Sequence, residues 1–248
     1  MFPIIYQNHD LVIYSYPLFM GLGWGIAYQI FFSCFPSQLS RRYAAFLFWG
    51  IFLFAWVGSK LMFLVTSSSN NNELSIYQAS FWLGGGFVFY GGLIGSLCFL
   101  MICKLFRLKL SSDVIWSLVS SLAIGHGIGR IGCALAGCCY GEVTNWSWGI
   151  FLHGHYRHPT QLIEASVLLV LGWYLLKSSR DKMILISDYL LGYGLLRFGL
   201  EFLRADLIRG IWGSLTPSQW ISILLVVAGL VLRLNYLKVI DFKRFQSK

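Results

Sequence analysis

The sequence predicts an all-α polytopic membrane protein, with about seven transmembrane helices and a small extracytoplasmic loop region. Three observations carry this. Hydrophobic residues make up 57% of the 248 residues and charged residues only 12%, against about 25% charged in soluble domains. The mean hydropathy is +0.67. The apolar residues gather into runs close to the ~20 residues that cross a hydrocarbon core. These runs fill the chain, so residues 1–248 read as one integral-membrane domain. The net charge of +9 comes from short basic clusters between the runs. It reports membrane topology and implies no nucleic-acid partner.

Taken in order, the expected spans are residues 17–36, 43–65, 81–103, 113–129, 159–176, 183–203 and 217–235. No Lys or Arg precedes Arg41, so the first run lacks the basic start of a secretory signal peptide and reads as a retained span. Basic residues then orient the chain. Arg41 and Arg42, then Lys104, Arg107 and Lys109, then Lys177, Arg180 and Lys182, and finally Lys238, Lys243, Arg244 and Lys248 all fall on one side. The other side has Arg130, Arg157, Arg204 and Arg209. Twelve against four places the N-terminus outside and the C-terminus in the cytoplasm. The uncharged-to-acidic loop 66–73 then lies outside. So does the loop segment 130–158, whose Trp146 and Trp148 suit the headgroup level.

Several blocks have chemical potential. The run from Gly125 to Gly141 holds six glycines with His126, Arg130, Cys133, Cys138 and Cys139. Exposed backbone N–H groups beside a guanidinium would suit an anionic headgroup such as phosphate. Arg197, Glu201 and Arg204 are offset by four and seven residues, which puts them on one helical stripe. Ionised groups at mid-membrane cost about 2.5–3.5 kcal/mol each, so they persist where they pair or face a polar cavity. An internal Arg–Glu pair would account for two of the three and leave the second arginine unexplained.

In Arg157-His158-Pro159-Thr160-Gln161-Leu162-Ile163-Glu164, the proline suits a helix start. The block reads either as a functional cluster or as a helix cap in which Glu164 balances Arg157. The glycines from Gly84 to Gly95 around Tyr90 fit close helix packing, or a broken helix lining a cavity. Tyr16, at the outer end of the first span, fits an interfacial anchor.

Cys34, Cys98 and Cys103 behave as small hydrophobes in apolar runs. Cys133-x4-Cys138-Cys139 departs from the paired Cys-x2-Cys spacing of zinc sites, so no metal and no cofactor is expected. On the outer side these three thiols either pair or stay free.

Together these blocks resemble the prolipoprotein diacylglyceryl transferase family, bacterial membrane enzymes that lipidate lipoprotein precursors. The resemblance runs from Tyr16 to Ser218-Gln219-Trp220. Its most specific pieces are Gly129-Arg130-Ile131-Gly132, the Arg157–Glu164 block, and Arg197 through Glu201 to Arg204. It implies a seven-span enzyme of the bacterial cytoplasmic (inner) membrane. Such an enzyme moves a diacylglyceryl group from phosphatidylglycerol to the lipobox cysteine thiol of lipoprotein precursors. A thioether forms and glycerol phosphate leaves.

On that resemblance Arg130 and Arg197 would hold the phosphate, and Glu201 would orient Arg197 or Arg204. Tyr16, Gly132, Gly141 and Gln161 would join Arg130 and Arg204 in binding substrate, while Tyr90 and His158 would join the catalytic set. The chain departs from the family pattern at four places. Tyr90 replaces a histidine before Gly-Gly, Cys133 replaces an asparagine, Ala136-Gly137-Cys138 replaces Asn-Gly-Glu, and Lys60 replaces an arginine. Tyr90, His158 and the lipid phosphate itself are therefore all candidates for the base that activates the acceptor thiol. Three alternatives stay open: a divergent member with another lipid donor or acceptor, a non-catalytic phospholipid-binding protein, and a membrane protein of another function with a thiol or metal site at the Cys/His cluster.

Overall fold

The computed structural model describes residues 2–9, 12–67, 88–205 and 213–246. Gly84 to Gly86, Arg209 and most of the expected loop 66–73 lie outside the described residues. Seven helices are described: α1 (Ser15–Cys34), α2 (Arg41–Ser67), α3 (Phe89–Leu105), α4 (Ser112–Ala136), α5 (Thr160–Lys177), α6 (Lys182–Glu201) and α7 (Pro217–Gln246). All but α3 are long and apolar enough to cross a membrane, and α3 is a shorter apolar helix. The protein is therefore an all-helical, multi-pass membrane protein. Its outward faces carry Trp49, Leu97, Trp173, Leu195 and Leu224, an exterior suited to lipid.

Two short antiparallel hairpins accompany the helices. β1 (Ile4–Gln7) pairs with β2 (Val12–Tyr14), and β3 (Ile150–Leu152) pairs with β4 (His155–Arg157). Neither was expected from the sequence, because each strand is only three or four residues long. The first hairpin is tied to the start of α1, where Ser15 donates to the Pro3 carbonyl through both its backbone N–H (2.9 Å) and its Oγ (3.2 Å).

The described residues form two compact units, Met1–Cys34 with Ser112–Lys248, and Phe35–Ser111. In the first, the core gathers Trp116 and Ala123 of α4, Leu168 and Leu175 of α5, and Leu185, Ile186, Tyr189 and Tyr193 of α6. Trp116 also donates from Nε1 to the Leu175 carbonyl, while Lys182 Nζ lies 3.4 Å from the centre of its ring. The start of α6 is set by Asp181, whose side chain accepts from the Met183 N–H. Toward the start of α6, Asp188 pairs with Arg233 of α7 and accepts from Tyr174 of α5 at 2.7 Å. That partnership is why Arg233 persists inside a span.

The second unit packs α2 on α3. There Gly91 and Gly95 lie against the α2 backbone at Gly58 and Phe54, so these glycines serve close helix packing. Tyr90 opens α3 in this unit, and Lys60 of α2 is fully buried in it.

The largest departure from expectation is α4. Its expected end at residue 129 lies seven residues short, because the helix runs on to Ala136. Arg130 and Gly132 are thus helical, not part of a loop. Most of the glycine N–H groups between 125 and 136 lie inside a helix and form no open cradle. The glycines serve packing instead. A Cβ at Gly23 of α1 would come within 2.6 Å of the Gly125 carbonyl oxygen, and one at Gly125 within 2.9 Å of the Gly23 carbonyl oxygen. Two backbones approach here more closely than any side chain would allow.

Candidate active site

The polar residues of the first unit collect where α4 and α6 end and where α5 and α7 begin. The hub is Glu164, one turn into α5 and almost fully buried. Its Oε2 lies 2.7 Å from Arg130 Nη2, and its Oε1 accepts from the Tyr193 hydroxyl at 3.2 Å. His126, one turn before Arg130 on α4, places Nε2 3.9 Å from the same Oε1 and meets the Tyr193 ring edge-on. Three helices therefore converge on one carboxylate. The expectation that Glu164 balances Arg157 is overturned. Arg157 donates instead to the carbonyls of Leu152 and Gly141 and sits 4.6 Å from the centre of the Tyr140 ring.

Arg197 and Glu201 form the expected i,i+4 pair, with Nη2 2.8 Å from Oε2. The same Nη2 donates to Ser218 Oγ at 3.0 Å, which links α6 to the first turn of α7. Arg197 also acts electrostatically on Glu164 and His126, so the two arginine clusters belong to one charged region. Arg204 is buried just past the end of α6, its backbone paired with Gly141. Arg130, Arg197 and Arg204 outnumber Glu164 and Glu201 by one positive charge. Two buried donors, Arg130 Nε and Arg197 Nη1, have no hydrogen-bond partner among the described residues. Buried guanidinium N–H groups left in this state favour an anionic ligand.

A short backbone sandwich caps the region. Residues 140–142 run between 203–205 and His158: Gly141 donates to the His158 carbonyl, Glu142 to the Leu203 carbonyl and Ala205 to the Tyr140 carbonyl. A Cβ at Gly141 would lie 2.6 Å from His158 Cβ and 2.7 Å from the Leu203 carbonyl oxygen, so only glycine fits between them. His158 is buried and edge-on to Trp146 at 5.2 Å, while Trp146 and Trp148 stack at 5.0 Å. Its Nδ1 has no hydrogen-bond partner among the described residues. Gly132 faces α1, where a Cβ would meet Phe19 Cβ at 2.7 Å. Its place is in helix packing. Tyr16 lies partly exposed in the first turn of α1, within electrostatic reach of Arg130 and the three thiols.

The thiols converge because of how α4 ends. Gly137 takes a positive φ of 77°, and the Cys138 N–H returns to the Cys133 carbonyl at 3.2 Å while the Gly137 N–H reaches the Ala134 carbonyl at 3.3 Å. In this helix-terminating motif the residue after the glycine lies against the residue five positions before it. Here those two positions are Cys138 and Cys133. Cys139 then adopts φ 60°, which turns its side chain back toward them. The three Sγ atoms all lie within 4.8 Å of one another, and all three thiols are free. Hydrogen bonds from Cys133 and Cys138, aided by the Arg130 and Arg204 guanidiniums, hold the Cys139 thiol well below the usual thiol range. Cys138 is pushed up by the same thiol contacts.

The family model for prolipoprotein diacylglyceryl transferase matches residues 3–235. The chain is 33% identical over 248 residues to phosphatidylglycerol–prolipoprotein diacylglyceryl transferase 2 of Clostridium perfringens, covering 95% of this chain and 96% of the relative. The chain belongs to the prolipoprotein diacylglyceryl transferase family. Enzymes of the same name, without the numeral, from Clostridium tetani (34% identical, 70% of this chain and 73% of the relative) and Coxiella burnetii (29% identical, 92% of each) are also similar.

Of the positions expected from the sequence to depart from the diacylglyceryl transferase pattern, Cys133 and Cys138 belong to the thiol cluster. Tyr90 and Lys60 belong to the other unit. Gln161 donates from Nε2 to the Cys138 carbonyl at 2.7 Å, and so braces that cluster. Tyr193 and the Arg130–Glu164 pair were missed from sequence, while His126 and Ser218 were noted there without a role. The i,i+4 spacing of His126 and Arg130 on one apolar helix was the available signal.

Proposed function

We propose that this chain is a phosphatidylglycerol–prolipoprotein diacylglyceryl transferase of the bacterial inner membrane, with its N-terminus outside and its site at the outer face. The observation that carries the reading is the pair of guanidiniums of buried Arg197 and largely buried Arg130, each fixed by a carboxylate on one side and holding a buried, unpartnered donor on the other.

The reaction needs such a pair. The glyceryl carbon that accepts sulfur carries a phosphate leaving group, and negative charge grows on that phosphate in the transition state. Two preplaced guanidiniums in a water-poor site stabilise the charge with no reorganisation at the moment of reaction. Glu164 fixes Arg130, while Glu201 and Ser218 fix Arg197. These are positioning residues. Arg204 adds positive charge beside the backbone cap, and Gly141 lets that cap close over His158. The stacked Trp146 and Trp148 suit the headgroup level. Tyr16 stands where an approaching headgroup or acceptor peptide would pass.

The test is transfer of radiolabelled lipid from phosphatidylglycerol to a lipobox peptide by purified protein in detergent. Arg130→Ala and Arg197→Ala should each lower the rate by about 10²-fold or more, the loss seen when one transition-state donor is removed. Full activity in both variants would end the phosphate-clamp reading. Phosphatidylglycerol binding by the wild type without any transfer would favour the non-catalytic alternative.

A further inference from the structure

The acceptor thiol must become a thiolate to attack, and on the resemblance described above a tyrosine, Tyr90, stands where a histidine is expected. An unperturbed tyrosine, with a pKa near ~10, is a poor base at neutral pH. Elsewhere in the chain, at the end of α4, three thiols bring their sulfurs within 4.8 Å of one another.

We propose that Cys133, Cys138 and Cys139 form a three-thiolate zinc site whose fourth position takes the acceptor cysteine of the precursor. This rests on the transferase reading above, and deepens it.

Four features support the site. The first is distance. A zinc–sulfur bond of about 2.3 Å sets tetrahedral sulfurs about 3.8 Å apart, so the trio needs to close by only about 1 Å. The second is ligand number. Among the described residues no histidine or carboxylate joins the trio. Three protein ligands with an open fourth position mark a zinc ion that works on a substrate, whereas a purely structural ion is closed by four.

The third feature is support. Thr160 Oγ1 donates to the Cys139 carbonyl at 3.1 Å and Gln161 Nε2 to the Cys138 carbonyl at 2.7 Å. Two buried side chains of α5 thus hold the backbone of both turn cysteines, and hold Cys139 at an unfavourable positive φ. The fourth is access and charge. Cys133 is buried and Cys138 exposed, so the open flank faces outward. Cys133 follows Arg130 by one helical turn, and Arg130 and Arg204 act electrostatically on Cys139. Their charge offsets the excess negative charge of four thiolates on a divalent ion.

The chemistry balances without an oxidant. The precursor thiol binds zinc and releases its proton to water, because a coordinated thiol is deprotonated. Its sulfur then attacks the glyceryl carbon. The C–S bond forms as the C–O bond to phosphate breaks, and the electron pair leaves on the phosphate oxygen held by the guanidiniums. The product thioether is a weak ligand, so it departs and water takes the fourth position.

The experiment is metal analysis of the purified full chain, cobalt substitution and transfer kinetics together. The wild type should contain one zinc per chain. With cobalt in its place it should show a thiolate-to-cobalt absorption that shifts when a lipobox peptide is added, and that does not shift with the Cys→Ser peptide. The variant with Cys133, Cys138 and Cys139 all changed to Ser should lose the metal. Its transfer should fall by about a hundredfold or more, the worth of a positioned proton-handling group, while phosphatidylglycerol binding persists. Cys138→Ser alone, at the exposed thiol, gives a milder variant should the triple change unfold the protein.

Zinc-free wild type that transfers at the full rate would overturn the proposal and leave the transferase reading intact. A disulfide between two of the three thiols in active protein, seen as a 2 Da loss and resistance to alkylation, would overturn it equally. A cobalt spectrum that responds to the peptide in a protein that transfers nothing would support the site and sink the transferase reading.

Discussion

Glu164 decides the electrostatics of the site. Two helices present it with three groups, the Arg130 guanidinium and His126 imidazole from α4 and the Tyr193 phenol from α6, and it is almost fully buried. Removing one member of a buried ion pair leaves an uncompensated charge, which costs about 3–5 kcal/mol. Glu164→Gln should therefore lower the thermal stability of the detergent-solubilised protein and slow transfer together. Added phosphatidylglycerol should restore part of the stability, since its phosphate can take the place of the lost carboxylate beside Arg130. An unchanged melting temperature would mean that Arg130 does not depend on Glu164. The Arg197–Glu201 pair was legible in the sequence because both partners lie on one helix at i,i+4. The Arg130–Glu164 pair was not, because its partners lie on different helices and only the fold brings them together.

Among the elements, the backbone cap around Gly141 holds the site closed. It threads residues 140–142 between His158 and Leu203, at distances that exclude a side chain. Gly141→Ala should cost about 1–3 kcal/mol through overpacking and should reduce transfer by displacing His158 and Arg204. Gly154→Ala is the comparison. Gly154 has φ +81° with nothing within 4 Å of an added Cβ. It should cost only the local backbone penalty of roughly 1–2 kcal/mol and leave transfer intact. Equal losses from both would place the effect in backbone strain and remove the close approach from the explanation. The hairpin that carries Gly154 was illegible in the sequence, since three-residue strands show no period that a reader could detect.

For the whole molecule, the charge pattern is the readable quantity. Twelve basic residues fall on one side of the seven runs and four on the other, and the bias orients membrane proteins at insertion. A fluorescent reporter fused after Lys248 should fold and fluoresce in the cytoplasm. A reporter active only in the periplasm would reverse the topology, and with it the outer-face location of the site. The arginines on the sparse side that the structure describes (Arg130, Arg157 and Arg204) all have structural or electrostatic employment near the cap. That is why they can depart from the charge rule.

Composition and hydropathy were enough to establish a chain that spans the membrane repeatedly, because burial in lipid demands long apolar runs and nothing else about a neighbour. The same local logic exposed the Arg197–Glu201 pair, but Arg204, expected on the same helical stripe, lies beyond the end of α6 with its backbone paired to Gly141. Tertiary structure decided the rest. It carried α4 past residue 129, so that the glycines became contact points between helices. It gave Glu164 to Arg130, and it folded an unpromising Cys-x4-Cys-Cys spacing into three converging sulfurs. The physical reason is range. Apolar periodicity is written within one helix, whereas an ion pair between helices and a turn closed by a left-handed glycine depend on backbone geometry that no single run encodes.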